Sequence, residues 1–272
     1  MSWKLIDDPA PRSGAWNMAM DEALWQDLEE SAGGECVLRL YGWDPPCLSL
    51  GFHQRLEDAV DAAYCREHGI DVVRRPTGGK AVLHEHEVTY AVAGSAAEAR
   101  LGSGLAKAYA AVSGALKAAL ESLGFSVCAE SRPARLFPGE AAPCFEVPTE
   151  HELLIGGKKV VGSAQRRGRR AFLQHGSIPL TLDYERLAGA SGISLSRVPS
   201  FRASFAGLRD FRADLDEAAL RRALADAFRA HFPGRWTAGE PTVAQRRRAE
   251  ALLSSRDGGP EAIDLRLRDV RG

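Results

Sequence analysis

The 272-residue sequence is long enough to bury a substantial core, because 45% of its residues are hydrophobic. Its 35 lysines and arginines nearly balance 36 aspartates and glutamates, which gives a formal net charge of -1 and no overall field that would attract nucleic acid or an anionic membrane. The sequence has no secretory signal pattern and no apolar run near the roughly 20 residues that span a bilayer. We therefore expect a cytoplasmic protein that binds neither nucleic acid nor membrane.

The first half of the sequence predicts two long helices and several short strands. Met18, Ala23 and Leu24 recur at helical spacing, with acids at the other positions, and predict a helix over residues 17–30. Apolar or alternating runs predict strands at 36–43, 47–52, 70–75 and 88–93, with a helix near 56–67. The alanine-rich segment 103–123 predicts the second long helix, which Gly124 would end.

Strand patterns return in the second half, at 125–129, 152–157, 158–165 and 171–180. Gly156 and Gly157 predict a hairpin turn between the second and third of these runs. Consecutive strands favour an α/β (α+β) fold, with mixed, largely antiparallel sheets flanked by helices, over a doubly wound sheet. We expect a single domain over residues 1–272, in which 199–272 would form a small helical C-terminal part.

Five cysteines form an odd set without a CxxC pair, so the sequence favours neither a disulfide framework nor a structural zinc site, and we expect no metal. Cys36 and Cys47 fall in predicted strands and Cys65 in a predicted helix, where a cysteine is usually an inert small hydrophobe. Cys144 differs, because it follows Pro143 in a loop and precedes an apolar run. Its position in the sequence alone favours an ordinary thiol over a nucleophile.

The segment RRPTGGKAVLHEHEVTY, residues 74–90, predicts a binding loop. Adjacent glycines let backbone N–H groups approach a carbonyl or phosphate closely, and Arg74, Arg75 and Lys80 supply charge beside them. The alternative is a polar connection between strands with a solvated basic edge. His84 by itself would more often be a structural histidine than a catalytic one.

The segment KKVVGSAQRR, residues 158–167, brings two lysines to one strand. Alternation along a strand sends Lys158 and Lys159 to opposite faces, so one register turns a single lysine inward. The alternative is that both reach solvent. The basic run at 166–170 is typical of a solvated loop in a chain of balanced charge.

Taken in order, these segments resemble a known superfamily. RRPTGGKAVLHEHEVTY, KKVVGSAQRR and LQHGSI (173–178) are similar to the signatures of biotin and lipoate protein ligases. With PCFE (143–146), the chain resembles the cysteine-dependent octanoyltransferases of the LipM type, over most of its length. Two departures are Glu85, where the family commonly has aspartate, and Pro179 after LQHGSI.

The resemblance implies a biotin/lipoate protein ligase-like fold and a covalent mechanism. Cys144 would carry an acyl-thioester, and Lys159, which follows it by 15 positions, would favour the thiolate. Substrate-binding residues would be Arg74, Arg75, Thr77, Gly78, Gly79, His84, Gly162, Ser163, Ala164, His175 and Gly176. No cofactor is implied, and ATP is not needed because a thioester is already activated.

The implied reaction moves an octanoyl group from octanoyl-acyl carrier protein to a lysine of a lipoyl domain or of the glycine cleavage H protein. His84 and His175 are both candidates for removing the proton of that lysine. Three alternatives stay open: an ATP-dependent lipoate ligase, an amidotransferase between carrier domains, and a catalytically silent module that binds lipoylated domains. The resemblance also suggests a monomer.

Overall fold

A computed structural model describes residues 2–31, 34–96, 98, 101, 104–130 and 152–256. The described helices are α1 Gly14–Glu30, α2 Ala62–Glu67, α3 Leu105–Ser122, α4 Tyr184–Ala190, α5 Val198–Ser204, α6 Glu217–His231 and α7 Val243–Arg256. The described strands are β1 Ser2–Asp7, β2 Cys36–Tyr41, β3 Cys47–Leu50, β4 Asp71–Arg74, β5 Val82–His84, β6 Glu87–Ser95, β7 Cys128–Glu130, β8 Glu152–Ile155, β9 Lys158–Lys159, β10 Gly162–Arg167, β11 Ala171–Pro179 and β12 Arg235–Ala238.

A six-stranded mixed sheet forms the framework, in the order β10-β11-β6-β2-β1-β12. The pairs from β10 to β2 are antiparallel, whereas β1 runs parallel to both β2 and β12. Two three-stranded sheets, β4-β3-β5 and β7-β8-β9, stand beside it. Most described strand pairs are antiparallel, which confirms the predicted mixed, largely antiparallel α/β fold.

Helices cover the two faces of the six-stranded sheet, because alternate residues of each strand point to opposite sides. On one side α3 and α6 pack with Leu38, Tyr90 and Val92. On the other side α1, itself covered by α7, packs with Ala91 and Leu173. The central strands are therefore packed between two apolar layers.

Local sequence accounts for the helix ends. The hydroxyl of Ser13 accepts a hydrogen bond from the backbone N–H of Trp16 at 3.4 Å and so caps α1. Asp61 caps α2 in the same way, accepting from Tyr64 N at 2.9 Å, so that helix begins at Ala62 and not near residue 56 as predicted. Gly124 follows α3 at φ +86°, the left-handed conformation that the sequence led us to expect there.

The predicted strand over 158–165 is wrong in one respect, because the structure divides it. Residues 158–159 pair with β8 across the Gly156-Gly157 turn, whereas 162–167 pair with β11 in the six-stranded sheet. Between them Val160 and Val161 are both buried, since the chain passes from one sheet to the other inside the core. Alternation of side chains holds only within one sheet, so no single strand pattern describes this segment.

The sequence patterns also missed β1, β5, β12, α4 and α5 as separate elements. The C-terminal segment joins the framework through β12, which extends the sheet beside β1, and through α6, which packs against α3. A boundary near residue 199 stays a prediction. None of the helices in the described part of the chain is long and apolar enough to cross a membrane.

Candidate functional site

A pocket opens where the six-stranded sheet meets the β4-β3-β5 sheet. It is lined by Met18, Tyr41, Trp43, Ser49, Arg75, Val82, His84, Thr89, Gly162, Ser163, Ala164, His175, Gly176 and Ser177. The structure therefore brings seven of the predicted substrate-binding residues to one cavity: Arg75, His84, Gly162, Ser163, Ala164, His175 and Gly176.

The β10–β11 ladder forms one wall of the pocket. Gly162 pairs with Ser177 and Ser163 pairs with Gly176, so each cross-strand pair contains one glycine. A Cβ on Gly176 would lie 2.5 Å from the carbonyl oxygen of Gly162 and 2.7 Å from a ring carbon of Tyr90. Glycine at this position allows the strands and the tyrosine ring to approach closely.

Arg75 shapes the glycine loop from behind. Its Nη1 donates to the carbonyl of Ser49 at 2.9 Å and to the Ser49 hydroxyl at 3.1 Å. Its Nη2 donates to the carbonyls of Gly78 at 2.8 Å and Lys80 at 2.7 Å. These bonds turn the loop carbonyls toward the guanidinium, so this arginine holds the shape of the loop as well as lining the pocket.

Arg74 lies outside the pocket lining and braces a neighbouring turn. Its Nη1 donates to the carbonyls of Gly51 at 3.0 Å, Phe52 at 3.0 Å and Gln54 at 2.6 Å. Gly51 has no room for a side chain, since a Cβ there would lie 2.0 Å from the carbonyl oxygen of Gly79. The turn and the glycine loop therefore support each other.

His84 sits in a chain of buried polar groups. Its Nε2 lies 2.8 Å from the Ser49 hydroxyl, and its Nδ1 lies 2.8 Å from a Glu87 carboxylate oxygen. Because Glu87 accepts from Nδ1–H, the Ser49 hydroxyl donates to Nε2. Glu87 also accepts from the hydroxyls of Thr89 and Ser177, so three donors surround this buried carboxylate.

Trp43 completes the surroundings of His84. Its indole ring stacks on the imidazole with centroids 4.0 Å apart and an interplanar angle of 11°. The indole N–H donates to the Thr89 hydroxyl at 2.7 Å. The indole therefore covers one face of the imidazole, while the Glu87 carboxylate holds its edge.

His175 occupies a second chain of the same kind. Its Nδ1 lies 2.9 Å from an Asp21 carboxylate oxygen, and its Nε2 lies 2.7 Å from the Thr77 hydroxyl, which donates to it. Burial lowers the pKa of His175, and the charge of Arg75 lowers it further against the opposing effect of Asp21. The ring is therefore neutral at physiological pH.

Asp21 anchors the second chain from inside helix α1. Burial alone would raise the pKa of Asp21, but the hydrogen bond from His175 and the charge of Arg39 outweigh it and lower the pKa. Arg39 Nη1 lies 2.9 Å from the carboxylate, and the Tyr41 hydroxyl donates to it at 2.7 Å. Burial, reinforced by this carboxylate, raises the pKa of Tyr41 well above its usual range.

Lys159 does not line the pocket and is buried, with 4% of its surface exposed. Its ammonium is 2.6 Å from a carboxylate oxygen of Glu152, which is 6% exposed. One lysine of the pair thus points inward, and it is the one that the family resemblance selects. Cys144 lies outside the described residues, so its predicted role stays a prediction.

The other cysteines differ in accessibility. Cys36, Cys47 and Cys65 are buried in the elements predicted for them, and burial raises the pKa of Cys36 and of Cys65 to about 11. A thiol with such a pKa is almost entirely protonated at neutral pH. Cys128, by contrast, is exposed. Within the described ranges no cluster of three or more His, Cys, Asp or Glu side chains is placed to hold a metal ion.

Sequence reasoning missed Asp21, Ser49 and Glu87 as site residues. It assigned the acids of α1 to the solvent side, whereas Asp21 is fully buried. A usable signal was present, because Asn17 and Asp21 share the helical spacing of Leu24 and Leu28, and polar residues on an apolar stripe mark a buried network.

A family model described as the lipoyl protein ligase A/B catalytic domain matches residues 13–229. The chain belongs to this family. Within the family it is similar to the octanoyltransferase LipM of Carboxydothermus hydrogenoformans, at 36% identity over 93% of this chain and 94% of the relative. The octanoyltransferase LipM of Kyrpidia tusciae is 38% identical, over 93% of this chain and 95% of the relative.

Solved structures of the lipoyl protein ligase family share the fold. A lipoate-protein ligase A bound with ATP superposes with a TM-score of 0.79 at 24% identity, over 97% of this chain and 98% of that one. A bipartite lipoate protein ligase from Thermoplasma acidophilum, studied with its E2 lipoyl domain, gives a TM-score of 0.78 at 23% identity, over 99% of each chain. These likenesses concern the fold alone.

Proposed function

We propose that this protein transfers an octanoyl group from octanoyl-acyl carrier protein, through a thioester on Cys144, to a lysine of a lipoyl-accepting protein. The observation that carries the proposal is the agreement with LipM octanoyltransferases at 36–38% identity over nearly the whole length of both chains. A buried Lys159 and a pocket lined by the signature segments support it.

In the first half-reaction the Cys144 thiolate attacks the carrier thioester. A free thiol is only a few per cent ionised at neutral pH, so the nucleophile needs a cation, which Lys159 supplies. The ammonium, together with backbone N–H groups of Gly78, Gly79 or the strand at 162–164, stabilises the tetrahedral oxyanion. The carrier thiolate then leaves, and its octanoyl group stays on Cys144.

In the second half-reaction the acceptor lysine, once deprotonated, attacks the octanoyl thioester; an amide forms as the carbon–sulfur bond breaks, and Cys144 leaves as the thiolate. Of the two candidate histidines, His84 is better placed, because its hydroxyl partner Ser49 lines the pocket, whereas Thr77, the partner of His175, does not. A proton passed to Ser49 would continue to the Nε2 of His84, with Glu87 stabilising the resulting imidazolium.

The octanoyl tail needs apolar contacts. At roughly 0.8 kcal/mol per buried methylene, six methylenes contribute about 5 kcal/mol to binding. Met18, Trp43 and Val82 supply apolar surface in the pocket. The acceptor is a lipoyl domain or the glycine cleavage H protein; the Thermoplasma ligase, which shares the fold, was studied with its E2 lipoyl domain.

Intact-protein mass spectrometry tests the proposal. Purified protein is mixed with octanoyl-acyl carrier protein without ATP, and a lipoyl domain is then added. We expect one octanoyl adduct on the wild type and on Cys128→Ser, which removes the exposed control thiol. We expect no adduct on Cys144→Ala and strongly slowed loading of Lys159→Ala. When the lipoyl domain is added, we expect the octanoyl group of the loaded wild type and of Cys128→Ser to move to the lipoyl domain.

Three results would contradict the proposal. An adduct that persists in Cys144→Ala would exclude the assigned nucleophile. Acylation of the lipoyl domain only from free octanoate and ATP would indicate a ligase. Loading only from an octanoylated H protein, and not from the acyl carrier protein, would indicate an amidotransferase.

A further inference from the structure

The loop between β10 and β11 belongs to the basic run RRGRR, which the proposed reaction does not use. The Glu29 carboxylate of helix α1 accepts from three successive backbone N–H groups of this loop, those of residues 169–171, at 2.7, 3.0 and 2.7 Å. A Cβ on Gly168 would lie 2.3 Å from the same carboxylate, so a side chain there would push the carboxylate away. Three bonds to one carboxylate hold the backbone of the loop in place.

The charged ends of the loop arginines lie at the surface. Arg169 and Arg170 are both exposed. Arg170 donates to the carbonyl of Glu30 at 3.4 Å, whereas the Glu30 carboxylate pairs with Arg248 at 2.6 Å. The loop therefore presents two guanidinium groups to solvent from an ordered backbone.

Strand β10 connects this loop to the pocket. Gly162, Ser163 and Ala164 line the pocket at the start of the strand. Arg166 is the next residue after Ala164 on the same face, about 7 Å further along the strand. Exposure increases in the same direction, from the buried Gly162 to the exposed Arg169. The strand thus leads from the pocket to the basic loop at the surface.

An exposed aromatic ring lies beside the same strand. The Arg166 guanidinium lies 4.3 Å from the ring centroid of Trp25 and 5.7 Å from that of Phe52. Phe52 is 43% exposed, and its backbone N–H donates to the carbonyl of Thr77 at 2.8 Å, beside the glycine loop. Aromatic and arginine side chains carry much of the binding energy at protein interfaces. We call the surface formed by Phe52, Arg166, Arg169 and Arg170 the basic rim.

The position of the basic rim fits a carrier that reaches the pocket with a long arm. The loop lies more than about 10 Å along β10 from Ala164. A lysine side chain, with four methylenes, is too short to span that distance. The phosphopantetheine arm of an acyl carrier protein is long enough, and its acyl group stays attached to the carrier until the thioester is cleaved. The loop therefore suits the acyl donor better than the acceptor.

The charge of the basic rim selects the kind of surface that binds there. Arginines on an ordered loop favour a partner with carboxylates around its arm, because complementary charge speeds association and disfavours partners of like charge. The whole chain has a net charge of only -1, so this attraction is local to the rim.

We propose that the basic rim docks an acidic surface of the acyl carrier protein that donates the octanoyl group. This inference rests on the proposed function and deepens it, because it assigns the surface that receives the donor. Arg169 and Arg170 attract the carrier, and Phe52 and Arg166 contact it next to the pocket.

The test measures loading of the enzyme from two donors of the same acyl group. One is octanoyl-acyl carrier protein, and the other is octanoyl-N-acetylcysteamine, a small neutral thioester without a protein surface. Second-order rate constants of adduct formation are obtained by intact-protein mass spectrometry for wild type, Arg169→Gln/Arg170→Gln and Phe52→Ala. The control is Arg222→Gln/Arg229→Gln, which removes two exposed arginines of helix α6 and changes the net charge equally.

We expect Arg169→Gln/Arg170→Gln to load from the carrier about 10-fold more slowly than wild type at low salt, the lower end of what electrostatic steering contributes. The difference should shrink as salt rises from 0.01 to 1 M, because the Debye length falls from about 30 to about 3 Å. Phe52→Ala should slow loading from the carrier at every salt concentration, since it removes contact area and no charge. Loading from the small thioester should match wild type in all variants, and the control should match it with both donors.

Equal slowing with both donors would show that the basic rim shapes the pocket, and would overturn the inference. Normal loading from the carrier, with slowed single-turnover transfer to a lipoyl domain, would assign the rim to the acceptor and overturn it as well. An equal loss in the α6 control would attribute the effect to net charge. If Phe52→Ala does not fold, the arginine variant decides by itself. A wild type that loads from neither donor would instead refute the proposed function.

Discussion

At the residue scale, each pocket histidine lies between a hydroxyl and a carboxylate. His84 joins Ser49 to Glu87, and His175 joins Thr77 to Asp21. The carboxylate holds the proton on Nδ1 and leaves Nε2 as the acceptor, so both rings have a defined tautomer. A proton relay requires this order of hydroxyl, imidazole and carboxylate. A proton would enter each relay at its hydroxyl.

Gly176 tests how tightly the pocket wall is packed. A methyl group there would meet the Gly162 carbonyl, the Tyr90 ring and the Ser163 hydroxyl, the last at 2.9 Å. We expect Gly176→Ala to lower the free energy of unfolding by about 1–3 kcal/mol, because backbone and ring must shift. Urea denaturation measures the change.

Gly239→Ala is the control for this substitution, since a Cβ at Gly239 would have no neighbour within 4 Å. Equal stability of the two alanine variants would show that the β10–β11 wall has more room than the distances indicate.

At the scale of elements, helix α1 is tied to the sheet by buried polar groups as well as by its apolar stripe. Arg39 of β2 donates to the Asn17 side chain at 2.7 Å and to Asp21 at 2.9 Å. A helix held only by apolar contacts can slide or rotate, whereas these directional bonds specify one position for it. The position of α1 in turn fixes His175.

Asp21→Asn should destabilise the protein by about 3 kcal/mol, because it removes the carboxylate 2.9 Å from the buried Arg39 guanidinium and leaves that of Asp8 at 3.7 Å. Urea denaturation measures the loss, with Glu22→Gln, one residue along the same helix, as control. A difference below about 1 kcal/mol between the two variants would indicate that the buried ion pair adds little to folding.

At the scale of the whole molecule, buried ionisable groups make folding sensitive to acid. The folded-state pKa of His175 is below its unfolded value of about 6.5, so both states bind no proton well above that pH. Below pH 6.5 the unfolded chain takes up a proton that the folded protein resists, and stability is lost at up to about 1.4 kcal/mol per pH unit. Asp21, whose pKa is also lowered, adds a further loss below about pH 3.8.

We therefore expect the melting temperature to fall between pH 7 and pH 5, and His175→Gln to flatten that decline, because glutamine does not titrate. Thermal scans at several pH values provide the measurement. The exposed His68 offers the control, since His68→Gln should follow the wild-type pH dependence. A parallel decline in all three proteins would assign the acid sensitivity to other groups.

The sequence by itself determined the mixed α/β class, the long helices α1 and α3, the hairpin at Gly156-Gly157 and the family, because each depends on periodicity, on turn residues or on ordered motifs. Through the family resemblance it also named eleven substrate-binding candidates, of which the structure brings seven to one pocket. All of these signals come from short segments of the sequence, so they can be interpreted without knowing what packs against each segment.

Only the tertiary structure decided which polar groups meet. Asp21 and His175 are 154 positions apart and Ser49 and His84 are 35 apart, so no periodicity relates them. The break between β9 and β10 has the same origin, because a chain that passes between two sheets buries both Val160 and Val161 and loses the alternation of a single strand. Which polar groups become partners in a buried network depends on which helices and strands pack against each other. That is decided by the packing of the whole chain.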